Sequence, residues 1–274
     1  MALNAATSRS VQADARRFYE AGDEKRWGRE SIPDLEKEVL GWLRAAGLER
    51  QAVVVELGCG KGAFRNLSRL FNYVGLDICF EVLNRYIRPP CALQADIDNL
   101  PLASGSADFV LSISTLEHVP NPERALIEID RILKPGGMAY LAPAWFCRPW
   151  AAKGLPIRPN SELSFGDKVW KALIPLRNNL AWRAAFVLPK RVFRELCSVL
   201  SPNTWNFKYR RLEPNLSSYV YTDCDAFCSL DPHEAVLLFS RWGYAVPSAP
   251  SFWSRVLLRH APVVLRKPHQ CFQA

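Results

Sequence analysis

The sequence predicts an α/β fold with a doubly wound, mostly parallel sheet of seven strands and helices on both of its faces. Between residues 52 and 143, short apolar runs alternate with helical segments, a pattern typical of parallel strands that are buried on both faces. The chain has 274 residues, of which 49% are apolar. It can therefore build one elaborated domain with a full core.

Each predicted strand is a short apolar run that ends near a turn signal. Five such runs precede residue 143, at 52–57, 72–76, 93–95, 107–113 and 138–142. The helical segments that link them are 64–71, 79–87 and 122–133. Because a connection between parallel strands must cross over the sheet, these helices are expected to cover its faces. A helix over 231–242 then precedes the last two strands, 244–246 and 263–265.

The pattern divides the chain into four segments. Residues 1–50 are predicted to form an N-terminal helical cap, in which Ser31 can cap a helix. Residues 51–147 form the core of the sheet, and residues 226–274 add the C-terminal helix and the last strands. Residues 148–225, where the strand–helix alternation loosens, are expected to be an insertion that acts as a lid.

The positive charge is concentrated in the second half of the chain. The net charge is +8, and residues 148–211 alone contain 13 lysines and arginines against three acids, with tryptophans between them. Three partners fit such a segment: an anionic small molecule, an anionic membrane surface, or nucleic acid. The apolar stretches edged with cations favour a lid or an interfacial element over a nucleic-acid groove.

The eight cysteines are scattered, with no Cys-x-x-Cys pair. Cys224 and Cys228 are four residues apart, but no second pair or nearby histidine completes a zinc site. We therefore expect free thiols and no metal. The sequence also has no secretory signal and no apolar run long enough to span a bilayer. A cytoplasmic location follows as the expectation, with a peripheral contact to the inner face of the membrane as an addition.

A glycine-rich turn follows the first strand. Gly58, Gly60 and Gly62 are spaced as G-x-G-x-G, and Glu56 precedes the first of them by two residues. Glycines at such a turn let the backbone approach a ligand closely. A dinucleotide-binding protein would also have a glycine turn, but with the spacing G-x-G-x-x-G, and its pyrophosphate needs a helix N-terminus.

Carboxylates follow the next two strands. Asp77 ends the second strand and can accept hydrogen bonds from both hydroxyls of a ribose, while Asp96 follows the third strand and can accept from an adenine amino group. Because the carboxyl ends of parallel strands meet at one edge of a sheet, both should face one crevice. Acids at this crevice suit S-adenosylmethionine, which carries a sulfonium and an ammonium but no phosphate.

Residues 53–143 resemble the class I S-adenosylmethionine-dependent methyltransferases, in particular the small-molecule, type 11-like group. The resemblance covers about a third of the chain. The matching motifs are the glycine turn, VGLD (74–77), QAD (94–96), DFVLSISTLEHV (108–119) and RILKPGG (131–137). It implies a Rossmann-like methyltransferase fold, in which residues 51–147 bind S-adenosylmethionine and release S-adenosylhomocysteine.

The resemblance also implies roles for individual residues. The three glycines of the turn would lie against the methionine moiety, with Glu56 behind them. Asp77, with Ile78 beside it, would hold the ribose. The adenine would be held by Asp96 and Ile97, and Ser112 would line the same pocket.

His118 is the candidate general base. Methyl transfer is an in-line displacement in which the enzyme positions the acceptor and can remove its proton. His118 follows the fourth strand near the expected mouth of the site, and a histidine titrates near neutrality. The alternative is that residues 116–119 only pack a loop. Tyr19 and Trp27, in the N-terminal segment, could cover the cofactor or lie on a surface helix.

The expected function is methyl transfer to a small or lipid-linked acceptor, anionic if the basic insertion binds it. Oxygen is the expected methylated atom on base rates alone. The expected role is in glycan, envelope or secondary-metabolite biosynthesis. A nucleic-acid methyltransferase is one alternative, although no Asn/Asp-Pro-Pro-aromatic motif follows the fourth strand. A non-catalytic S-adenosylmethionine-binding protein is the other. Residues 148–211 are the candidate for a peripheral membrane contact, and nucleic acid is not the expected partner.

Overall fold

The structure is a computed structural model, and it describes residues 5–22, 27–87, 91–200, 206–217 and 222–269. In that part of the chain the strands are β1 (Val53–Leu57), β2 (Asn72–Asp77), β3 (Ala92–Gln94), β4 (Ala107–Ile113), β5 (Leu133–Ala142), β6 (Arg210–Arg211), β7 (Cys228–Ser229) and β8 (Val263–Arg266). The helices are α1 (Ala5–Glu20), α2 (Pro33–Ala45), α3 (Phe80–Val82), α4 (Pro122–Ile132), α5 (Phe165–Asn178), α6 (Leu180–Leu200), α7 (Pro232–Arg241) and α8 (Phe252–Val256).

The central sheet is doubly wound, as the sequence predicts. Its strand order is β3-β2-β1-β4-β5-β8, and every neighbouring pair is parallel except β5 and β8, which are antiparallel. The order reverses direction between β1 and β4. In open sheets of this kind, ligands bind outside the carboxyl ends of the strands at the point of reversal. β6 and β7 form a separate antiparallel pair.

The sheet has six strands in the described part of the chain, whereas the sequence predicts seven. The predicted strand at 244–246 is reduced to a single bridge, in which Ala245 and Arg266 exchange backbone hydrogen bonds of 3.0 and 2.9 Å. Pro247 follows two residues later. A proline has no N–H to donate, so the ladder against β8 cannot continue past it.

Two of the predicted crossover helices are shorter than expected. The segment 64–71 contains a 3-10 helix at Arg65–Arg69. The segment 79–87 is α3 followed by a π-helical turn at Leu83–Ile87. The helices predicted at 122–133 and 231–242 are present as α4 and α7.

The core consists of two layers, one on each face of the sheet. On one face, Val55 of β1 belongs to a buried cluster that includes Ile129 of α4 and Val236 of α7. On the other face, Val54 belongs to a cluster with Leu43 of α2. Neighbouring residues of β1 therefore point into different layers, which requires the apolar side chains on both faces that the sequence shows.

Candidate functional site

The carboxyl ends of the parallel strands open onto a cavity of about 490 Å³, a size typical of small-molecule sites. The turn after β1, the ends of β2 and β3, and the segment after β4 form its floor. The N-terminal segment and residues 222–225 supply the remaining walls. Within residues 148–225, Thr222, Asp223 and Asp225 line the cavity among the described residues. The lid role of the whole insertion stays a prediction.

Most of the site residues predicted from the sequence lie on this one cavity. Those that line it are Glu56, Gly58, Gly60, Asp77, Ile78, Asp96, Ile97 and His118. Gly62 and Ser112 are not among the lining residues. Gly62 follows in the turn, where its N–H donates to the carbonyl of Cys59 at 2.8 Å. Ser112 is fully buried in β4 beside Leu57, and its hydroxyl has no hydrogen-bond partner among the described residues.

The glycine turn needs glycine at two positions for reasons of space and backbone conformation. Gly58 has a φ of +73°, and a Cβ there would lie 2.2 Å from the hydroxyl oxygen of Thr115. Gly60 has a φ of +48°, and a Cβ there would lie 2.4 Å from the carbonyl oxygen of Trp27. Both values of φ lie in the left-handed region, where side chains are disfavoured. The turn therefore brings bare backbone to the cavity wall.

Asp77 links this turn to the end of β2. Its two carboxylate oxygens accept from the backbone N–H groups of Gly60 and Cys79, each at 2.9 Å. Burial raises the pKa of this carboxyl above its usual value, and the backbone hydrogen bonds oppose the shift. A carboxylate offers about four acceptor positions. Acceptor capacity therefore remains for a ligand in the cavity.

Glu56 is a carboxyl of the site whose pKa is strongly perturbed. It is buried at the end of β1 and accepts a hydrogen bond from the hydroxyl of Tyr73. Burial raises its pKa to about 8, although the bond from Tyr73 opposes the shift. Glu56 is therefore mostly neutral at pH 7 in the free protein, and a cationic ligand group beside it would favour its ionised form.

Replacing Glu56 with glutamine should remove a pH dependence of stability. Because the folded-state pKa of about 8 exceeds the ordinary value of 4.5, the folded protein binds more protons than the unfolded chain between these values. The free energy of unfolding should therefore fall as pH rises through this window, by at most about 1.4 kcal/mol per pH unit from this group. In Glu56→Gln this contribution is absent. The free energy of unfolding of the variant, relative to that of the wild type, should therefore rise as the pH increases from about 6 to about 9.

Urea denaturation across that pH range measures the effect. Glu123→Gln, at an exposed position of α4, is the matched control and should follow the wild type. Parallel stability curves for the wild type and Glu56→Gln would contradict the raised pKa.

The N-terminal segment is fastened over the glycine turn. The carbonyl of Trp27 accepts the N–H of Lys61 at 3.0 Å, and its indole N–H donates to the carbonyl of Tyr19 at 3.0 Å. Tyr19 and Trp27 both line the cavity, and the ring of Tyr19 meets that of His118 edge-on, with 6.3 Å between the centroids. These two residues therefore cover part of the cavity.

His118 lies among carboxylates at the other end of the cavity. Its Nδ1 is 3.4 Å from Asp225 Oδ2, and its Nε2 is 3.7 Å from Glu117 Oε1. Asp225 also accepts the hydroxyl of Tyr19 at 2.6 Å. Burial lowers the pKa of His118, but Asp225, Glu117 and Asp223 raise it by more, so that the net shift is upward. These acids keep the imidazole basic, while its Nδ1 makes no hydrogen bond to the described residues.

Asp223 and Asp225 have no role in the sequence analysis. They lie at the end of the insertion, far along the chain from the strand ends that identify the predicted cofactor site. The available signal is that two acids occur together directly after a segment with very few of them. The backbone conformation marks the same region, because φ is positive at two non-glycine residues there: 58° at Asp223, and 48° at Ser114, which follows β4. Non-glycine residues in this conformation concentrate at functional sites.

A metal ion is not expected here, although one group of residues has suitable spacing. In the described ranges, Glu117, His118 and Asp223 place ligand atoms within 4.8 Å of one another. The sequence has no paired metal-ligand motif, and a metal-free site stays an expectation.

The charges of the cavity match a cationic cofactor. Its lining includes Glu56, Asp77, Asp96, Asp223 and Asp225, and burial raises the pKa of the first four of these carboxyls. A positively charged ligand relieves this penalty, because it stabilises the ionised carboxylates. The glycine backbone, the ribose acceptor and the acidic walls are thus consistent with the groups of S-adenosylmethionine.

Comparison with known proteins identifies the same part of the chain. A family model described as a methyltransferase domain, of the type 11 group, matches residues 55–141. An uncharacterized protein of Methanocaldococcus jannaschii is 43% identical over 89 residues, which are 32% of this chain and 39% of that protein. A tRNA (carboxymethyluridine(34)-5-O)-methyltransferase of Mus musculus is 33% identical over 113 residues, which are 38% of this chain and 16% of that protein.

A malonyl-[acyl-carrier protein] O-methyltransferase of Pectobacterium atrosepticum is 37% identical over 95 residues, which are 32% of this chain and 37% of that protein. The chain thus spans less than two fifths of the length of each of these three relatives. The family model matches the segment that carries the glycine turn and the strand-end carboxylates. Residues 55–141 accordingly form a class I, Rossmann-like, S-adenosylmethionine-dependent methyltransferase domain of the type 11 group.

Proposed function

We propose that the protein transfers a methyl group from S-adenosylmethionine to a hydroxyl group of an uncharged small or lipid-linked acceptor. The observation that carries this proposal is the single cavity that joins the cofactor residues Gly58, Asp77 and Asp96 to the pair His118 and Asp225. A site for the cofactor and a group that can take up a proton are therefore adjacent.

The residues of the strand ends would hold the cofactor. The bare backbone at Gly58 and Gly60 leaves room for the methionine moiety, and Asp77 has acceptor positions for the ribose hydroxyls. Asp96 and Ile97 lie where the adenine is expected. When bound, S-adenosylmethionine supplies a methyl group on a sulfonium that is already activated for displacement.

His118 would remove the proton of the acceptor hydroxyl. Asp225, 3.4 Å from its Nδ1, stabilises the imidazolium that forms, and Tyr19 holds Asp225 in place through a hydrogen bond of 2.6 Å. A histidine beside a carboxylate is a usual arrangement for activating a hydroxyl. Two of the relatives are O-methyltransferases by their printed names, which supports oxygen as the methylated atom.

The walls near His118 favour an uncharged acceptor over an anionic one. Asp223 and Asp225 lie beside it, and like charges in a buried site repel strongly. The exposed cations of the insertion, such as Arg210 and Arg211, are not among the residues that line the cavity. Among the described lining residues, Arg29 is the only lysine or arginine, so the acidic side chains beside His118 disfavour an anionic group at that place.

Two alternatives from the sequence remain. A nucleic-acid methyltransferase is supported by the tRNA-modifying relative of mouse and by the basic insertion, whose phosphate contacts would make binding strongly salt-dependent. A non-catalytic protein would bind S-adenosylmethionine but lack any acceptor. The intact pair His118 and Asp225 favours catalysis over this second alternative.

Titration followed by transfer of a labelled methyl group tests the proposal. We expect micromolar binding of S-adenosylmethionine and S-adenosylhomocysteine by calorimetry, and incorporation of the label into uncharged or lipid-linked glycans in preference to phosphosugars and total RNA. Incorporation into RNA that declines with salt would establish the nucleic-acid alternative instead. Cofactor binding without incorporation into any class would support the non-catalytic one.

A further inference from the structure

The long helix α6 is anchored to the domain through charged side chains. Arg191 is buried and donates to the carbonyls of Val256 and Leu258, at 2.7 and 2.5 Å. It also forms an ion pair of 2.7 Å with Asp231 at the start of α7. A buried arginine with three acceptors fixes the rotation of its helix, because losing any partner leaves the charge uncompensated.

Two neighbours of Arg191 reinforce the same orientation. Arg194 is buried and donates from Nε to Glu234 Oε1 at 2.8 Å. Glu195 is buried 3.2 Å from the ring of His233. The face of α6 that meets the core is therefore polar, the reverse of an ordinary surface helix.

The opposite face of α6 is apolar and exposed. Its large side chains recur at helical spacing, at Trp182, Phe186, Phe193, Leu196 and Leu200. The exposed fraction is 64% at Phe193 and 79% at Leu200. The rings of Trp182 and Phe186 contact each other at 4.5 Å between centroids. Residues separated by three or four positions share one side of a helix, so these side chains form a continuous apolar stripe.

The preceding helix α5 extends this surface. It joins α6 through Asn179, and its exposed apolar residues Phe165, Val169, Leu173 and Leu176 follow each other by three or four positions. Exposed apolar patches of this extent on a soluble domain mark interaction sites. We call this surface, on α5 and α6 together, the hairpin face.

The charges around the hairpin face are positive. Lys168 of α5 and Lys190 of α6 are exposed. Among the described residues of the two helices, the acids are Asp167 and Glu195. Asp167 forms an ion pair of 2.8 Å with Lys153, and Glu195 is buried as described above. The exposed Lys208, Arg210 and Arg211 add to the positive potential after α6.

We propose that the hairpin face docks onto an anionic phospholipid bilayer, with the two helices lying in the plane of the interface. Apolar and aromatic side chains on one side of a helix bury themselves at the boundary between headgroups and acyl chains. Lysines that flank them reach anionic headgroups with their long side chains. Among the described residues, no helix is long and apolar enough to cross a bilayer. The residues of the hairpin face are different from those that would bind the cofactor and the acceptor.

Cosedimentation of the full chain with vesicles tests the proposal. Vesicles of phosphatidylcholine alone are compared with vesicles that also contain phosphatidylglycerol. We expect binding to the anionic vesicles to be at least about tenfold tighter, and to weaken as salt is added. The triple variant Trp182→Ser, Phe186→Ser, Phe193→Ser should lose at least about tenfold in vesicle affinity. Lys168→Gln combined with Lys190→Gln should lose about tenfold.

Ile127→Ser, an exposed apolar position of α4, is the matched control and should bind vesicles as the wild type does. All variants should keep the melting temperature and the affinity for S-adenosylmethionine of the wild type, because these positions do not line the cavity. The vesicle-binding test is therefore independent of whether the protein transfers methyl groups.

Three results would overturn the proposal: no vesicle binding by the folded wild type, equal binding to neutral and anionic vesicles, or unchanged binding by the triple variant. Sedimentation velocity without lipid tests the alternative that a second copy of the chain covers the hairpin face. A dimer that the triple variant dissociates, together with no vesicle binding, would assign the hairpin face to a second copy of the chain.

Discussion

Replacing Asp77 with alanine is expected to weaken S-adenosylmethionine binding about 100-fold or more. A hydrogen bond to a charged group contributes roughly 1.5–3 kcal/mol, and the ribose would donate two of them. Each 1.4 kcal/mol changes the dissociation constant about tenfold. The N–H groups of Gly60 and Cys79 also lose their acceptor, so the glycine turn loses its link to β2.

Calorimetric titration of Asp77→Ala with S-adenosylmethionine measures this loss. Asp108→Ala is the matched control, because Asp108 likewise accepts a backbone N–H, from Val53 at 2.8 Å, but lies near the start of β4. Its cofactor affinity should stay close to that of the wild type. Asp77→Asn should be intermediate, since an amide keeps one acceptor oxygen. Unchanged affinity in folded Asp77→Ala, or an equal loss in Asp108→Ala, would remove Asp77 from the ribose site.

The cofactor half of the site is predictable because its signals are local. Each of its residues follows a strand that the apolar pattern reveals, and parallel topology brings the strand ends together. This holds for Glu56, Asp77 and Asp96, which all line the cavity. Gly62, from the glycine turn, and Ser112, from the family resemblance, do not line it, because a motif fixes a position in the chain and not the direction of each group.

The proposed acceptor half depends on contacts that no local pattern reveals. Tyr19 and Asp225 share a hydrogen bond across 206 residues of sequence. Periodicity describes neighbours along one helix or strand, so it cannot pair an N-terminal helix with a turn at the end of the insertion. An anionic small molecule is one of the partners that the positive charge of the insertion predicts, whereas the turn that reaches His118 is acidic.

The orientation of α6 shows a further limit of pattern reading. An apolar stripe at helical spacing normally faces the core, yet in α6 the core side is the one with Arg191 and Arg194. Their partners Asp231 and Glu234 lie on α7, and only the fold brings the two helices together. The reduction of the predicted strand at 244–246 to a single bridge at Ala245 is easier to explain, since the proline that ends the pairing is visible in the sequence.

Replacing His118 with alanine is expected to lower kcat about 100- to 10,000-fold, the range typical of a lost general base. Cofactor affinity should change little, because the proposal places His118 beside the acceptor and not among the residues that would hold the cofactor. The wild-type rate should rise with pH as the imidazole loses its proton. Because the surrounding carboxylates raise the pKa of His118, this rise should occur above the ordinary histidine value of 6.5.

The pH dependence of kcat separates a base from a residue that only packs the loop at 116–119. Asp225→Asn removes the carboxylate that raises the pKa of His118 most, so its activity should rise at a lower pH than that of the wild type. His118→Ala should lose this titration altogether. If the residual activity of His118→Ala titrates as the wild type does, or if Asp225→Asn leaves the profile in place, another group takes the proton. His118 then has a structural role, since a packing residue affects the melting temperature but does not set the pH at which the rate rises.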